Sequence, residues 1–170
     1  MPRPPPRPTE SWIRAIAARY LDRYAATEAS LRRWLQRRVG EAVRAHSADP
    51  EEARRHVDAL VARMLELGVL NDTRFAESRA KTLRRRGASA RAVRQALAIK
   101  GVSRDVVDGV LAEEHGDREL EAARTFARRH HLGPWRTGPV DPAGRAKELA
   151  RLGRKGFSFE TARRIVDASD

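Results

Sequence analysis

The sequence predicts an all-α protein built from three tandem three-helix repeats forming an elongated, curved body, and three observations carry that prediction. Lys100-Gly101-Val102-Ser103 returns 55 residues later as Lys155-Gly156-Phe157-Ser158, each copy preceded by a Leu-bearing amphipathic stretch (Leu97, Leu152) and followed by another (Val106, Val110, Leu111; Thr161, Ile165, Val166). A looser copy lies upstream, with Leu31, Trp34 and Leu35 on one stretch and Val57, Leu60, Val61 and Met64 on the next. No stretch alternates apolar and polar residues with period two, so no strand is expected. Periods of about 50 residues belong to stacked units that cannot bury their apolar faces alone, which directs the search for function to an extended surface.

Residues 1–10 read as a disordered Pro/Arg tail, since Pro fixes φ and lacks a backbone donor. Repeat 1 is assigned to residues 11–70. After Ser11, the residues Trp12, Ile13, Ile16, Tyr20 and Leu21 share a face at spacings near 3.6. Thr27 caps a second helix through about Arg38, and residues 40–49 read as a polar link. Asp49-Pro50-Glu51-Glu52 opens the third helix, with Asp49 as cap, Pro50 at the first helical position and Glu52 closing a capping box. That helix runs to Leu67 and Gly68 ends it. Repeat 2 spans 71–116. Asn71 or Asp72 caps a helix bearing Phe75, Ala76, Arg79 and Leu83, Gly87 stops it, and helices over 89–100 and 103–115 follow with Gly101 as a left-handed C-cap between them. Repeat 3 spans 117–170, with helices near 117–131, 142–154 and 158–168 and a Gly/Pro-rich loop over 132–141.

Lys and Arg total 35 against 23 Asp and Glu, a net charge of +12 that divides evenly as +4 in each of the segments 1–70, 71–116 and 117–170. Only residues 81, 100, 147 and 155 are Lys. The excess is therefore Arg, whose planar fork pairs with phosphate or carboxylate oxygens bidentately. Such an even spread suits a body that lies along a charged polymer, whereas a basic tail on a neutral domain would concentrate it. Solvated Arg on helix faces is the plainer account of any single one. Much of the 41% hydrophobic content is Ala, which lets helices approach closely but buries little area, so thin cores are expected. The absence of Cys excludes disulfides, thiolate metal sites and Cys nucleophiles and fits a reducing compartment. No apolar run approaches the roughly 18 residues of a bilayer span, and MPRPPPRPTE lacks a signal-peptide core, so a soluble cytoplasmic monomer without membrane contact is expected.

Catalytic motifs of the glycine-loop, nucleophile-elbow and zincin types are missing. His130 and His131 point about 100° apart on a helix and cannot share a metal from regular geometry. His46, His56 and His115 have no partner at ligand spacing. No catalytic, metal or cofactor site is expected, and the protein is read as not an enzyme. Trp12 and Trp34, among aliphatic neighbours at helical spacing, read as core. Trp135, flanked by Gly, Pro and Arg, is the Trp placed for surface contact, base stacking being the chemistry it offers.

The run from Leu65 to Ala76, LELGVLNDTRFA, resembles the signature of RecX regulatory proteins: a Gly, an apolar pair, an acidic or amide pair, then Arg-Phe-Ala leading into a basic helix. Arg84-Arg85-Arg86-Gly87 and the later Leu97-Ala98-Ile99-Lys100-Gly101-Val102 resemble the next block, and Gly156-Phe157 the terminal one. The likeness covers about residues 12–168. Two departures stand out, Ser89-Ala90 in place of the usual Gly-Pro and Ala96 in place of an acidic residue. Folding physics also accounts for the signature: Gly68 permits a positive φ, Val69 and Leu70 plug the seam, Asp72 caps the following helix and Phe75 packs beneath it.

The resemblance implies a modulator that binds the helical groove of the RecA filament on single-stranded DNA and curbs recombinase, ATPase and coprotease activity in DNA repair and the SOS response. Two other readings compete, an Arg-rich helical nucleic-acid-binding protein acting on DNA directly and a helical scaffold with merely solvated Arg. The candidate RecA or DNA contacts are Arg84, Arg85, Arg86, Lys100, Arg104, Arg128, Arg129, Arg154 and Lys155.

Overall fold

The computed structural model describes residues 5–114, 117–139 and 141–168. Among these the chain forms α1 (Glu10–Leu21), α2 (Glu28–His46), α3 (Pro50–Glu66), α4 (Asp72–Arg85), α5 (Ala90–Lys100), α6 (Arg104–Ala112), α7 (Arg118–Arg129), α8 (Pro142–Arg154) and α9 (Phe159–Val166), with a single 3₁₀ turn at Gly133–Trp135 and no strand. Two compact units result. One comprises Met1–Phe75 with Lys100–Val102, the other Ala76–Ile99 with Ser103–Asp170.

In the first unit, α1, α2 and α3 close on Ile13, Ile16, Leu31, Leu35, Val57 and Val61, with Trp12, Trp34 and Tyr20 half-buried at the edge. Helix α2 runs eight residues past the expected stop at Arg38, because Val39 and Ala42 extend the buried stripe of Leu31 and Leu35. Burying that stripe outweighs the roughly 1 kcal/mol that Gly40 costs a helix interior. The polar link therefore shrinks to a short turn in which Ser47 takes the left-handed conformation. Asp49 caps α3 by accepting from the Glu51 N–H, and Pro50 occupies the first helical position. The reciprocal capping box expected there is instead formed at α2 by Thr27 and Ser30.

At the signature run, Asn71 rather than Asp72 caps α4, accepting from the Arg74 N–H at 2.8 Å. Asp72 turns to α2 and accepts from the Glu28 N–H at 2.9 Å, so its carboxylate serves the positive end of a different helix. Leu70 is buried as expected, but Val69 is 58% exposed and plugs nothing.

In the second unit, α7, α8 and α9 bury Leu120, Phe126, Leu152, Phe157 and Ile165. Trp135 packs half-buried on this core. The middle helices bury mainly small side chains, Ala76, Ala80, Val93, Leu97 and Val107. Such residues yield less burial energy per helix than the Leu- and Ile-rich first core.

The repeated Lys-Gly-apolar-Ser motif has one structural use in both copies. The buried Thr27 hydroxyl, which caps α2, donates to the Lys100 carbonyl at 2.6 Å. The buried Ser89 hydroxyl, which accepts from the Ala92 N–H at the start of α5, donates to the Lys155 carbonyl at 2.6 Å. One hydroxyl thus satisfies an orphan donor at a helix start and an orphan acceptor at the end of another helix of the same compact unit. Gly101 and Gly156 then turn with φ of +83° and +91°. Val102 and Phe157 are buried, and Ser103 and Ser158 cap α6 and α9. The Lys carbonyls, the glycine turns, the apolar residues and the serine hydroxyls of the motif all serve the fold. The Lys side chains do not.

Candidate contact surface

The nine candidate cations divide by what already holds them. Arg84, near the end of α4, donates from Nε and Nη2 to Glu114, from Nη1 to Glu119 at 2.5 Å, and from Nη1 to the Ala88 carbonyl. Its side chain is only 10% exposed. Burial works against its charge, but the hydrogen bonds and charges of Glu114 and Glu119 prevail and raise its pKa further above the ordinary arginine value. Arg84 is thus a structural tie inside the second unit. Arg85, about 100° further round the last turn of α4, and Arg86, just past its end, are exposed.

Arg86 leads to the richest basic cluster. Its carbonyl accepts from Arg129 Nη1 at 3.0 Å. Arg129 ends α7, and the next residue, His130, packs tilted against Phe126 with ring centroids 4.3 Å apart. His130 Nδ1 lies 3.0 Å from Arg151 Nη2. Because a guanidinium can only donate, Nδ1 accepts and the imidazole is neutral with its proton on Nε2. Partial burial first, and then the charges of Arg151, Lys155, Arg129 and His131, hold the His130 pKa below its usual value. Arg151, Arg154 and Lys155 follow one another at i, i+3 and i+4 along the end of α8, which places them on one side of it. Among the described residues no carboxylate pairs with Arg128, Arg129, Arg151, Arg154 or Lys155, whereas Arg32, Arg38, Arg94, Arg118, Arg136, Arg145 and Arg164 all have acidic partners.

Four candidate cations, Arg128, Arg129, Arg154 and Lys155, therefore belong to the ends of α7 and α8, where His130 and Arg151 join the group. Sequence reasoning missed these two. The i, i+4 spacing of Arg151 and Lys155 was a usable signal for one; the coupling of His130 to α8 had none. Lys100, in the first unit, and Arg104, at the start of α6, are exposed. Uncompensated charge of this density attracts an oxyanion-bearing partner.

The described residues define an all-helical protein whose repeats carry basic surfaces, and comparison with known proteins gives that class a family. The family model for the RecX second three-helix domain matches residues 71–111. The chain is 39% identical over 170 residues to the regulatory protein RecX of Myxococcus xanthus, covering 99% of this chain and 91% of that one. It is 32% identical over 156 residues to the regulatory protein RecX of Agrobacterium fabrum, covering 92% and 82%. The chain belongs to the RecX family of regulatory proteins. Its fold matches the crystal structure of RecX from Lactobacillus salivarius with a TM-score of 0.66 at 19% identity, covering 92% of this chain and 94% of that one. A second crystal structure, of a regulatory protein RecX, matches with a TM-score of 0.70 at 20% identity over 94% of this chain and 72% of that one. No helix among the described residues is long and apolar enough to cross a membrane.

Proposed function

We propose that this protein regulates rather than catalyses, binding the RecA filament on single-stranded DNA and lowering its ATPase, strand-exchange and coprotease activity. Membership of the RecX family supports a regulatory role, and the observation that carries the contact chemistry is the group of Arg129, Arg151, Arg154 and Lys155 around His130, none of them paired with a carboxylate among the described residues, with Arg128 preceding Arg129 in the chain. These cations would meet phosphates or acidic side chains of the filament, with Arg85, Arg86, Lys100 and Arg104 as further contacts. Contacts that are individually weak add through effective concentration once one of them has formed. The RecA-filament ATPase at saturating DNA tests the reading. Inhibition is expected at protein levels well below those that coat the DNA, and an ATPase that falls only when the strand is coated would favour direct DNA binding instead. Lys100→Gln combined with Lys155→Gln should leave the melting temperature nearly unchanged, because the motif uses their carbonyls, yet weaken inhibition. Full inhibition by this double variant would remove both lysines from the contact surface.

His130 supplies a pH signature. A bound anion offsets the surrounding cations and raises the His130 pKa, so proton and anion bind together. Affinity for the DNA-bearing filament should rise as pH falls through the bound-state pKa and level off below the free-state pKa, which lies under the ordinary histidine value of about 6.5. His130→Asn should abolish that rise, and a pH dependence surviving in the variant would take His130 out of the site.

A further inference from the structure

The first unit holds three aromatic rings in contact, and the outermost of them has no folding task. Tyr20, on the last turn of α1, stacks on Trp34 of α2 with centroids 4.5 Å apart and planes at 29°. Tyr24 also meets Tyr20, tilted, at 5.2 Å and 45°. Tyr24 follows the end of α1, where its N–H still donates to the Tyr20 carbonyl at 2.9 Å, fixing the turn that brings the two rings together. Trp34 and Tyr20 lean on the core of Ile13, Leu31 and Leu35. Tyr24 is 57% exposed and adds nothing to that core. Removing it should therefore leave the fold alone.

The charges around these rings are mainly basic, with Asp22 the acidic residue between Tyr20 and Tyr24. Arg19 and Arg23 flank Tyr20 and Tyr24 in the chain, and Arg37 follows Trp34 at i+3 on the same face of α2. None of these three arginines has an ion-pair partner among the described residues, although Arg14 pairs with Glu10 and Arg38 with Glu41 in the same two helices. A stacked Tyr20–Trp34 pair with an exposed, tilted third ring, bordered by guanidinium groups without carboxylate partners, matches the chemistry of single-stranded nucleic acid, in which an unstacked base lies against a ring and the adjacent phosphates meet cations.

We infer that Tyr24, backed by Tyr20 and Trp34, is a stacking platform for an unpaired base of single-stranded DNA, with Arg19, Arg23 and Arg37 taking the flanking phosphates. The choice of DNA rests on the filament reading above; the platform itself rests on the three rings and their cations. The outer ring rests on Tyr20, which Trp34 backs in turn, so little order has to be gained on binding.

Binding of fluorescently labelled oligo(dT) to the full-length protein tests this by anisotropy across a salt series. Tyr24→Ala should weaken binding roughly 5- to 150-fold, the effect of losing one base–aromatic stack. Tyr24→Phe, which keeps the ring, should bind within about twofold of the parent, since base stacking needs the ring face and not the hydroxyl. Arg23→Gln should lower the salt slope by about 0.7, one phosphate contact on a single strand. Equal affinity of parent and Tyr24→Ala overturns the inference, as does equal loss in Phe and Ala variants or no binding of oligo(dT) by the parent. Measuring RecA-filament ATPase on the same preparations separates the two proposals. Inhibition by a parent that ignores oligo(dT) would retain the regulatory reading without the platform, and oligo(dT) binding that depends on Tyr24 without inhibition would do the reverse.

Discussion

Replacing Arg84 by Ala is expected to lower the unfolding free energy by about 2–4 kcal/mol, the larger of the single-residue charge effects in this chain. The loss of one guanidinium leaves Glu114 and Glu119 facing each other without their shared cation and the Ala88 carbonyl without its Nη1 donor. Truncating one partner of a buried ion pair typically costs 3–5 kcal/mol, on the order of the desolvation of the charge left behind. Glu119 retains 28% side-chain exposure, so water recovers part of that cost and the lower figure applies. For a chain of this size the melting temperature should drop by about 5–15 °C. Arg85→Ala and Arg86→Ala should stay within about 0.5 kcal/mol of the parent, as exposed sites do. A denaturant midpoint unchanged by Arg84→Ala would mean that the ion triad contributes nothing net. A consequence for functional work follows: a triple alanine variant at 84–86 would confuse lost contact with lost stability, whereas Arg85→Ala with Arg86→Ala isolates contact.

The arginine run shows where sequence reading ends. Residues 84, 85 and 86 are chemically identical, and the one that turns inward is chosen by Glu114 and Glu119, 30 and 35 residues further along. No local pattern encodes that choice. The helices themselves were legible because their determinants are local: apolar stripes of period 3.6, Thr, Ser and Asp caps, and the Lys-Gly turns. Gly40 and its polar neighbours resemble a break in α2, whereas the burial of Val39 and Ala42 that carries the helix on to His46 is a property of the folded chain. Ser89, which stands where RecX proteins usually have Gly, turned out to be the counterpart of Thr27, a relation between hydroxyls 62 residues apart that the Lys-Gly spacing hints at but does not name. The basic cluster was half legible, since Arg128, Arg129, Arg154 and Lys155 are helix-end cations by position, while His130 and Arg151 required the pairing of α7 with α8. Tyr24 was missed because it lies past the apolar stripe of α1, and only the Tyr20 and Trp34 rings give it a direction.

Gly101→Ala and Gly156→Ala are each expected to cost about 2–4 kcal/mol, and the reason lies in the hydroxyl staple that joins one helix end to another helix start. Both residues have strongly positive φ, +83° and +91°, which alone penalises an L-residue by about 1–2 kcal/mol. The space is closed as well. A Cβ on Gly101 would overlap Ala29 Cβ, which is fixed to the backbone of α2 and cannot rotate aside. A Cβ on Gly156 would sit 2.7 Å from Ser89 Oγ and 3.0 Å from Arg91 Cβ. Relief would require moving the hydroxyl that caps α5 and binds the Lys155 carbonyl, so overpacking adds about 1–3 kcal/mol on the usual scale. Gly68 provides the internal control. Its φ is +68°, yet a Cβ there would meet nothing within 4 Å. Gly68→Ala should therefore show the conformational penalty alone, about 1–2 kcal/mol. Denaturant unfolding of the three variants should rank Gly101→Ala and Gly156→Ala clearly below Gly68→Ala. Equal losses at all three positions would mean that the left-handed turn alone accounts for the glycines and that the close approach of helix end to helix start contributes no measurable stability.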